Sequence, residues 1–223
     1  MSRVVLVVAA HADDEALGCG GTIARHTADG DSVHLLLIAD GVTSRLNVNP
    51  DDLMCRDKAS EKASEILGIK TSYRLGLPDN RLDSIPLLDI VRELEIIIKK
   101  IMPRVIYTHH HGDLNVDHRR TQEAVMTACR PQPGCPVKEI YGFEVPSSTE
   151  WATPYRAPFL PSVFVDISDY LLTKKSAIEA YTEEMRPEPH SRSMGHVLAL
   201  AAHRGYTVGV KAAEAFMVYR LIR

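Results

Sequence analysis

The stretch Val4-Val5-Leu6-Val7-Val8-Ala9-Ala10-His11-Ala12-Asp13-Asp14-Glu15 decides the fold. Its first seven residues are apolar without interruption. A short apolar run bounded by polar residues suits a strand buried on both faces of a parallel sheet. The run passes straight into a histidine and, after Ala12, three consecutive carboxylates. Acids crowded at the end of a buried strand repel one another. A bound cation relieves that repulsion, with His11 and Asp14 as a pair of ligands for it. The alternative is a polar turn whose acids cap the following helix.

Outward from this stretch, helical and strand patterns alternate. Residues 15–29 read as a helix with Leu17, Gly21, Ile23 and Ala24 inward, stopped by Asp29-Gly30-Asp31. A second buried strand is expected over 33–39, then a helix from Asn49-Pro50-Asp51 to about Leu67, ended by Gly68. A short strand over 71–75 precedes a helix over 84–100 with Leu87, Leu88, Val91, Leu94 and Ile98 on one face. A strand over 104–108 leads through His109 to His118 into a helix reaching Cys129. Strands over 139–143, 162–167 and 214–221 and helices over 168–184 and 196–203 complete the pattern. Residues 144–161, with Pro146, Pro154, Pro158 and Pro161, and residues 186–195 read as loops. No repeat or low-complexity tract interrupts the chain.

The alternation predicts an α/β, Rossmann-like fold: a mostly parallel sheet with helices on both faces. Right-handed crossovers place the strand-to-helix loops on one edge, where such folds bind ligands. The loops at 11–15, 40–50, 76–83 and 109–118 are therefore expected to converge at the carboxyl ends of the strands.

With 223 residues, 45% hydrophobic and 25% charged, the chain is expected to form a single domain over 1–223 with a sizeable core. A net charge of -3 gives no basic face, which excludes nucleic acid and anionic membrane as expected partners. Met-Ser-Arg leads directly into the first strand with no signal-peptide pattern. Cys19, Cys55, Cys129 and Cys135 form no C-x-x-C pair and are expected as reduced thiols of a cytoplasmic protein. Assembly into a homo-oligomer stays open.

A second acid-and-histidine pair, Asp117-His118, follows a different predicted strand on the same edge. Two histidines and a carboxylate with an open position suit catalytic zinc, with Asp13 pointing elsewhere as a base. The same donor set also describes the facial triad of a non-haem iron oxygenase. Asp117 has two readings: it orients an imidazole without touching the ion, or it caps a helix. Gly18, Gly20 and Gly21 are not a dinucleotide fingerprint, because Ile23 stands where the third glycine belongs and acids precede them. Close packing of helix on sheet accounts for them. Trp151, Tyr141 and Tyr155 are candidates for stacking on a ligand face, and Thr43, Ser44 and Arg45 for loop contacts with substrate.

Ala10-His11-Ala12-Asp13-Asp14-Glu15 resembles the Ala-His-Pro-Asp-Asp-Glu signature of the LmbE-like (PIG-L) zinc-dependent N-deacetylases. Gly112-Asp113-Leu114-Asn115-Val116-Asp117-His118 is similar to their second metal block, and Leu75 to Asp79 to their Leu-Gly-Leu-Pro-Asp block. Pro189-His190-Ser191-Arg192-Ser193, Arg204-Gly205 and Ala213-Glu214-Ala215-Phe216 are similar to carboxyl-terminal blocks of the bacterial sugar-deacetylase branch. The resemblance implies His11, Asp14 and His118 as Zn2+ ligands, Asp13 as general base, and Arg56 and Asp79 on the sugar. It implies hydrolysis of a 2-acetamido sugar or conjugate to acetate and a free amine. Ala12 replaces the usual proline, which loosens the turn. Asn115 stands on the substrate side where many relatives carry a second histidine, so one of His109, His110, His111 or His190 is expected to take over its role. A non-catalytic, metal-retaining sugar-binding relative is the remaining alternative.

Overall fold

A computed structural model of the chain describes residues 2–47, 49, 51–153 and 155–223. Pro50, at the expected start of the second helix, and Pro154, in the long loop, lie outside the described residues. The strands are β1 (Val4–Ala9), β2 (Ser32–Ala39), β3 (Thr71–Leu77), β4 (Val105–His109), β5 (Glu139–Phe143), β6 (Val163–Asp166) and β7 (Ala213–Leu221). They form one seven-stranded sheet in the order β3-β2-β1-β4-β5-β7-β6, with the opening apolar strand near its middle. The pairs β1–β2, β1–β4, β2–β3 and β4–β5 are parallel. The sheet is mixed rather than all parallel, because β7 returns antiparallel between β5 and β6.

Six helices cover it: α1 (Asp14–Ala28), α2 (Asp52–Leu67), α3 (Leu87–Ile101), α4 (Val116–Ala128), α5 (Leu171–Glu179) and α6 (Met194–Tyr206). Successive strand residues point to opposite faces. Val5 and Val7 join Val33, Leu35 and Val105 in a core with Leu17, Ile23, Leu67 and Ile178, residues of α1, α2 and α5. Leu6 and Val8 join Leu36, Ile38 and Ile106 in a second core with Ile90, Leu94 and Val125 of α3 and α4. Both faces of β1 are buried, which is why its sequence does not alternate.

Three boundaries differ from the pattern. The third helix begins at Leu87, and its buried stripe is Ile90, Val91, Leu94 and Ile98, leaving Leu88 55% exposed. A leucine beside the stripe falls on the solvent side of a 3.6-residue period. The helix expected over 168–184 stops at Glu179, and residues 181–184 turn toward the carboxyl edge of the sheet. The last helix starts at Met194, where Ser193 Oγ accepts the His196 N–H. Gly68 closes α2 with a φ of 73°, as its position in sequence suggests. Among the described residues no helix is long and apolar enough to cross a membrane.

Candidate metal centre and active site

At the carboxyl end of β1 the Ala10 N–H donates to His109 Nε2, 2.8 Å away, which ties the ends of β1 and β4 together. The His11 N–H then donates to Asp14 Oδ2 at 2.9 Å, folding the turn back on itself. Asp13, at the N-cap position of α1, sits at φ 123° and makes no side-chain cap. A non-glycine residue in this region is strained by about 1–3 kcal/mol and persists only when its surroundings hold it. Here they do: the Asp13 N–H donates to Glu15 Oε2 at 3.1 Å, and Tyr181 Oη donates to Glu15 Oε1 at 2.5 Å. Burial pushes the Glu15 carboxyl up to about 7, against the bonds from Tyr181 and Asp13.

The four loops at this edge converge. His11 Nε2 lies 3.0 Å from Asp79 Oδ1 and 3.0 Å from Asp117 Oδ2. Ser44 Oγ donates to Asp79 Oδ2 at 2.5 Å. With Nε2 held between two carboxylates, His11 offers its other nitrogen, Nδ1, which lies 3.4 Å from Asp14 Oδ2. His118 Nε2 lies 3.3 Å from the same oxygen. Ligand atoms of His11, Asp14 and His118 all lie within 4.8 Å of one another, and all three side chains are buried.

These three residues fit a divalent metal. Asp14 Oδ1 and His118 Nε2 are buried without a hydrogen-bond partner among the described residues. Such atoms are costly unless something else binds them. Burial by itself pushes His11 down, but Asp117, Asp14 and Asp79 outweigh it and hold the ring well above the ordinary histidine value. His118 behaves alike: burial lowers it, Asp14 and Asp113 raise it, and it rises to about 9. A pocket whose acids favour positive charge on both imidazoles favours a cation in their place. His11, Asp79 and Asp117 also lie close enough to share an ion. Asp117, however, already accepts the Asn80 N–H at 2.7 Å and the Leu82 N–H at 3.0 Å, which makes it a clamp on the loop after β3 and on the His11 ring.

The other expected site residues fall as follows. Asn115, not Asp117, caps α4: its side chain accepts the Asp117 N–H at 2.8 Å. Arg56 is buried, donating to the Ala12 carbonyl at 2.7 Å and to Glu184. The expectation of a free Asp13 needs correcting: Arg192 donates to its Oδ2 at 2.7 Å, and Arg56 stands 3.7 Å from its Oδ1. Oδ1 keeps no hydrogen-bond partner among the described residues. Burial raises the Asp13 carboxyl, Arg192 and Arg56 pull it down, and the net direction is upward.

His109 is fully buried, stacked on His118 with centroids 3.9 Å apart, and held neutral chiefly by burial. With its Nε2 accepting from Ala10, it supports the His118 ring and has no face open to substrate. His110 bonds the Ala157 carbonyl and His111 bonds Tyr219. His190 Nδ1 accepts the Arg192 N–H at 2.9 Å, and its ring packs on Trp151. Tyr141 stacks on Tyr107 and donates to Glu139, away from the converging loops. Tyr155 is fully exposed. Arg45 pairs with Glu184 at 2.7 Å.

Several participants were not singled out in the sequence. Arg192 lies in a quoted block, but nothing in a Pro-His-Ser-Arg-Ser string says which residue it reaches. Glu184, which braces Arg45 and Arg56, carries no sequence signal. Asp113 was the readable one, an acid five residues before the candidate ligand His118. Its Oδ1 lies 3.2 Å from His118 Nδ1 and also accepts from Ser148 Oγ, while Thr149 Oγ1 donates to Oδ2 at 2.6 Å. Burial would raise this carboxyl, but His118, Ser148 and Thr149 hold it well below the usual carboxylate range.

The model of the GlcNAc-PI de-N-acetylase family, PIG-L, matches residues 6–129, which include both metal blocks. The chain belongs to this family. It is 33% identical to the uncharacterized deacetylase YaiS of Escherichia coli (strain K12) over 178 residues, 78% of this chain and 86% of that one. It is 28% identical to the diacetylchitobiose deacetylase of Thermococcus kodakarensis, over 95% of this chain and 81% of that one. In three dimensions it matches a conserved protein of Thermus thermophilus with a TM-score of 0.77 and 27% identity, covering 98% of this chain and 96% of that one. Membership of the PIG-L family makes the chain an enzyme of the deacetylase type, one that hydrolyses N-acetyl amides.

Proposed function

We propose that this PIG-L protein is a zinc-dependent hydrolase that removes the acetyl group from a 2-acetamido sugar or sugar conjugate. The observation that carries the reading is the convergence of His11, Asp14 and His118, with Asp14 Oδ1 and His118 Nε2 lacking hydrogen-bond partners among the described residues, beside the buried Asp13, whose Oδ1 lacks one too. His11, Asp14 and His118 would hold the ion. When bound, zinc supplies Lewis acidity at the amide carbonyl and lowers the pKa of water toward about 7.

The chain's own residues do the rest. Asp13 Oδ1 takes a proton from the attacking water, and Arg192 on Oδ2 keeps the carboxylate from rotating away. Water oxygen bonds to the carbonyl carbon, the C–N bond breaks, and Asp13 returns the proton to the departing nitrogen, giving acetate and an amine. Asp117 and Asp113 fix the His11 and His118 rings. Arg56 and Asp79, tied to the base and to His11, form the wall against which the sugar is read. Asn115, inside the second metal block, serves as the cap of α4, and His190, its Nδ1 already occupied, presents Nε2–H as the donor for a substrate oxygen.

The experiment is acetate release from a panel of acetamido sugars, disaccharides and conjugates by the zinc-loaded protein, with Asp13→Asn as the comparison. Release by wild type and a loss on the order of 10²–10⁴-fold in the variant supports the reading. A zinc-loaded, folded Asp13→Asn protein that deacetylates as fast as wild type would sink it. The diacetylchitobiose deacetylase among its relatives makes short chitin oligosaccharides the first substrates to try.

A further inference from the structure

Helix α1 is broken. Cys19 has φ −147° and ψ 23°, so the piece that begins at Asp14 and the piece that runs to Ala28 are separated by one non-helical residue. The first piece carries Asp13 at its cap and Asp14 and Glu15 in its first turn. In an unbroken helix the Leu17 carbonyl would accept the Gly21 N–H, four residues on. Here each takes a side-chain partner instead. Lys174 Nζ donates to the Leu17 carbonyl at 2.8 Å. The Gly21 N–H donates to Glu214 Oε1 at 2.9 Å, and the Thr22 N–H to Oε2 at 2.7 Å. Lys174 also donates to Glu214 Oε1. An ion pair has been inserted into the missing helical hydrogen bond, running from carbonyl to ammonium to carboxylate to amide.

The pair is costly and distant in sequence. Lys174 is 3% and Glu214 5% exposed, they come from α5 and β7, and neither serves as a ligand or base. A buried ion pair is weak evidence for stability, since an apolar pair of similar volume does as well or better. Its geometry points to another role. We infer that Lys174 and Glu214 are positioning residues that set the direction of the first turns of α1, and so the placement of Asp13 and Asp14. Glu214 holds the start of the second piece as a carboxylate at a helix N-terminus does, and Lys174 closes the end of the first piece as a cation does. The inference rests on the reading of Asp14 as a metal ligand.

The test uses the full chain with Lys174→Met/Glu214→Gln, which leaves no unpaired buried charge, and with Glu214→Gln alone as a second variant, which removes the carboxylate and leaves the Lys174 ammonium without its counter-charge. Asp31→Asn, on the ion pair at the opposite end of α1, controls for general destabilisation. Zinc affinity by competition with a chromophoric chelator is expected to fall roughly tenfold or more in the double variant. Its kcat is expected to fall with KM unchanged, and Glu214→Gln should move both readouts in the same direction. Asp31→Asn should change neither. Zinc affinity within twofold of wild type in both Glu214 variants, or a loss no greater than that of Asp31→Asn, overturns the inference. Hydrogen exchange at the Leu17 and Gly18 amides decides independently of zinc and of the substrate. Roughly tenfold faster exchange in the double variant supports the inference, and unchanged protection overturns it even if no deacetylase activity is found.

Discussion

Arg192 and Asp13 lie 179 positions apart in the chain, and the guanidinium of one donates to the carboxylate of the other at 2.7 Å. The contact joins the loop before α6 to the strained cap of α1. With Arg56 3.7 Å from the other oxygen, it gives the buried carboxylate a fixed orientation. In the proposed mechanism Asp13 Oδ1, which has no hydrogen-bond partner among the described residues, is the oxygen that takes the proton. Replacing Arg192 by alanine should lower kcat by about 10²-fold, the scale of an angstrom-sized misplacement of a catalytic group. Steady-state kinetics checks it: a rise in KM with kcat unchanged would mean that Arg192 binds substrate and leaves Asp13 alone.

Asp113 grips His118 Nδ1, while Ser148 and Thr149 grip Asp113. The long loop after β5 is thereby tied to a candidate ligand. Asp113→Ala should weaken zinc binding by roughly 10–100-fold while leaving the helix content by circular dichroism unchanged. Ser148→Ala, which removes one of the two hydroxyls, should show the same effect at smaller size. Chelator competition reads both.

Gly18 faces the ring of Phe143, and a Cβ added there would stand 2.4 Å from ring carbon. No rotamer of a buried phenylalanine absorbs that approach without moving its strand. Gly18→Ala should therefore destabilise the protein by about 1–3 kcal/mol despite the better helix propensity of alanine. The midpoint of urea denaturation measures it, and an unchanged midpoint would mean that α1 can lift off β5.

At the opposite end of α1, Asp31 accepts the Arg3 N–H at 2.7 Å and the His26 ring at 2.7 Å. Burial pulls the Asp31 carboxyl upward, but the Arg3 amide, His26 and the Arg3 guanidinium outweigh it and hold it below the ordinary value. A folded-state pKa below the unfolded one adds stability that is present above about pH 4 and fades as the pH falls through the folded value. Asp31→Asn should cost about 1–2 kcal/mol at pH 7, with the difference from wild type shrinking in acid. Urea titrations at pH 7 and pH 3 compare the two.

What was readable in the chain was local. An apolar run entering His11-Ala12-Asp13-Asp14-Glu15 implies a buried strand and a helix start, because burial on both sheet faces leaves no polar positions. Alternation of such strands with helices implies that the loops meet at one edge, because the handedness of the crossover permits little else. Gly18 and Gly21 were readable as close-packing residues, whereas Gly20 has room for a Cβ. Leu88 was misassigned because adjacent leucines on a helix cannot both belong to a narrow stripe.

The rest required the tertiary structure. The antiparallel insertion of β7, the turn of Glu184 and Arg192 toward the site and the break in α1 depend on contacts between residues many tens to almost two hundred positions apart. No periodicity records such contacts, because a buried ion pair or a guanidinium on a carboxylate is specified by where elements come to rest after packing. The sequence by itself determined the sheet, its helices and the edge at which acids and histidines gather. Only the packing of elements distant in the chain decided which of those acids meet His11 and His118 and which accepts from Arg192.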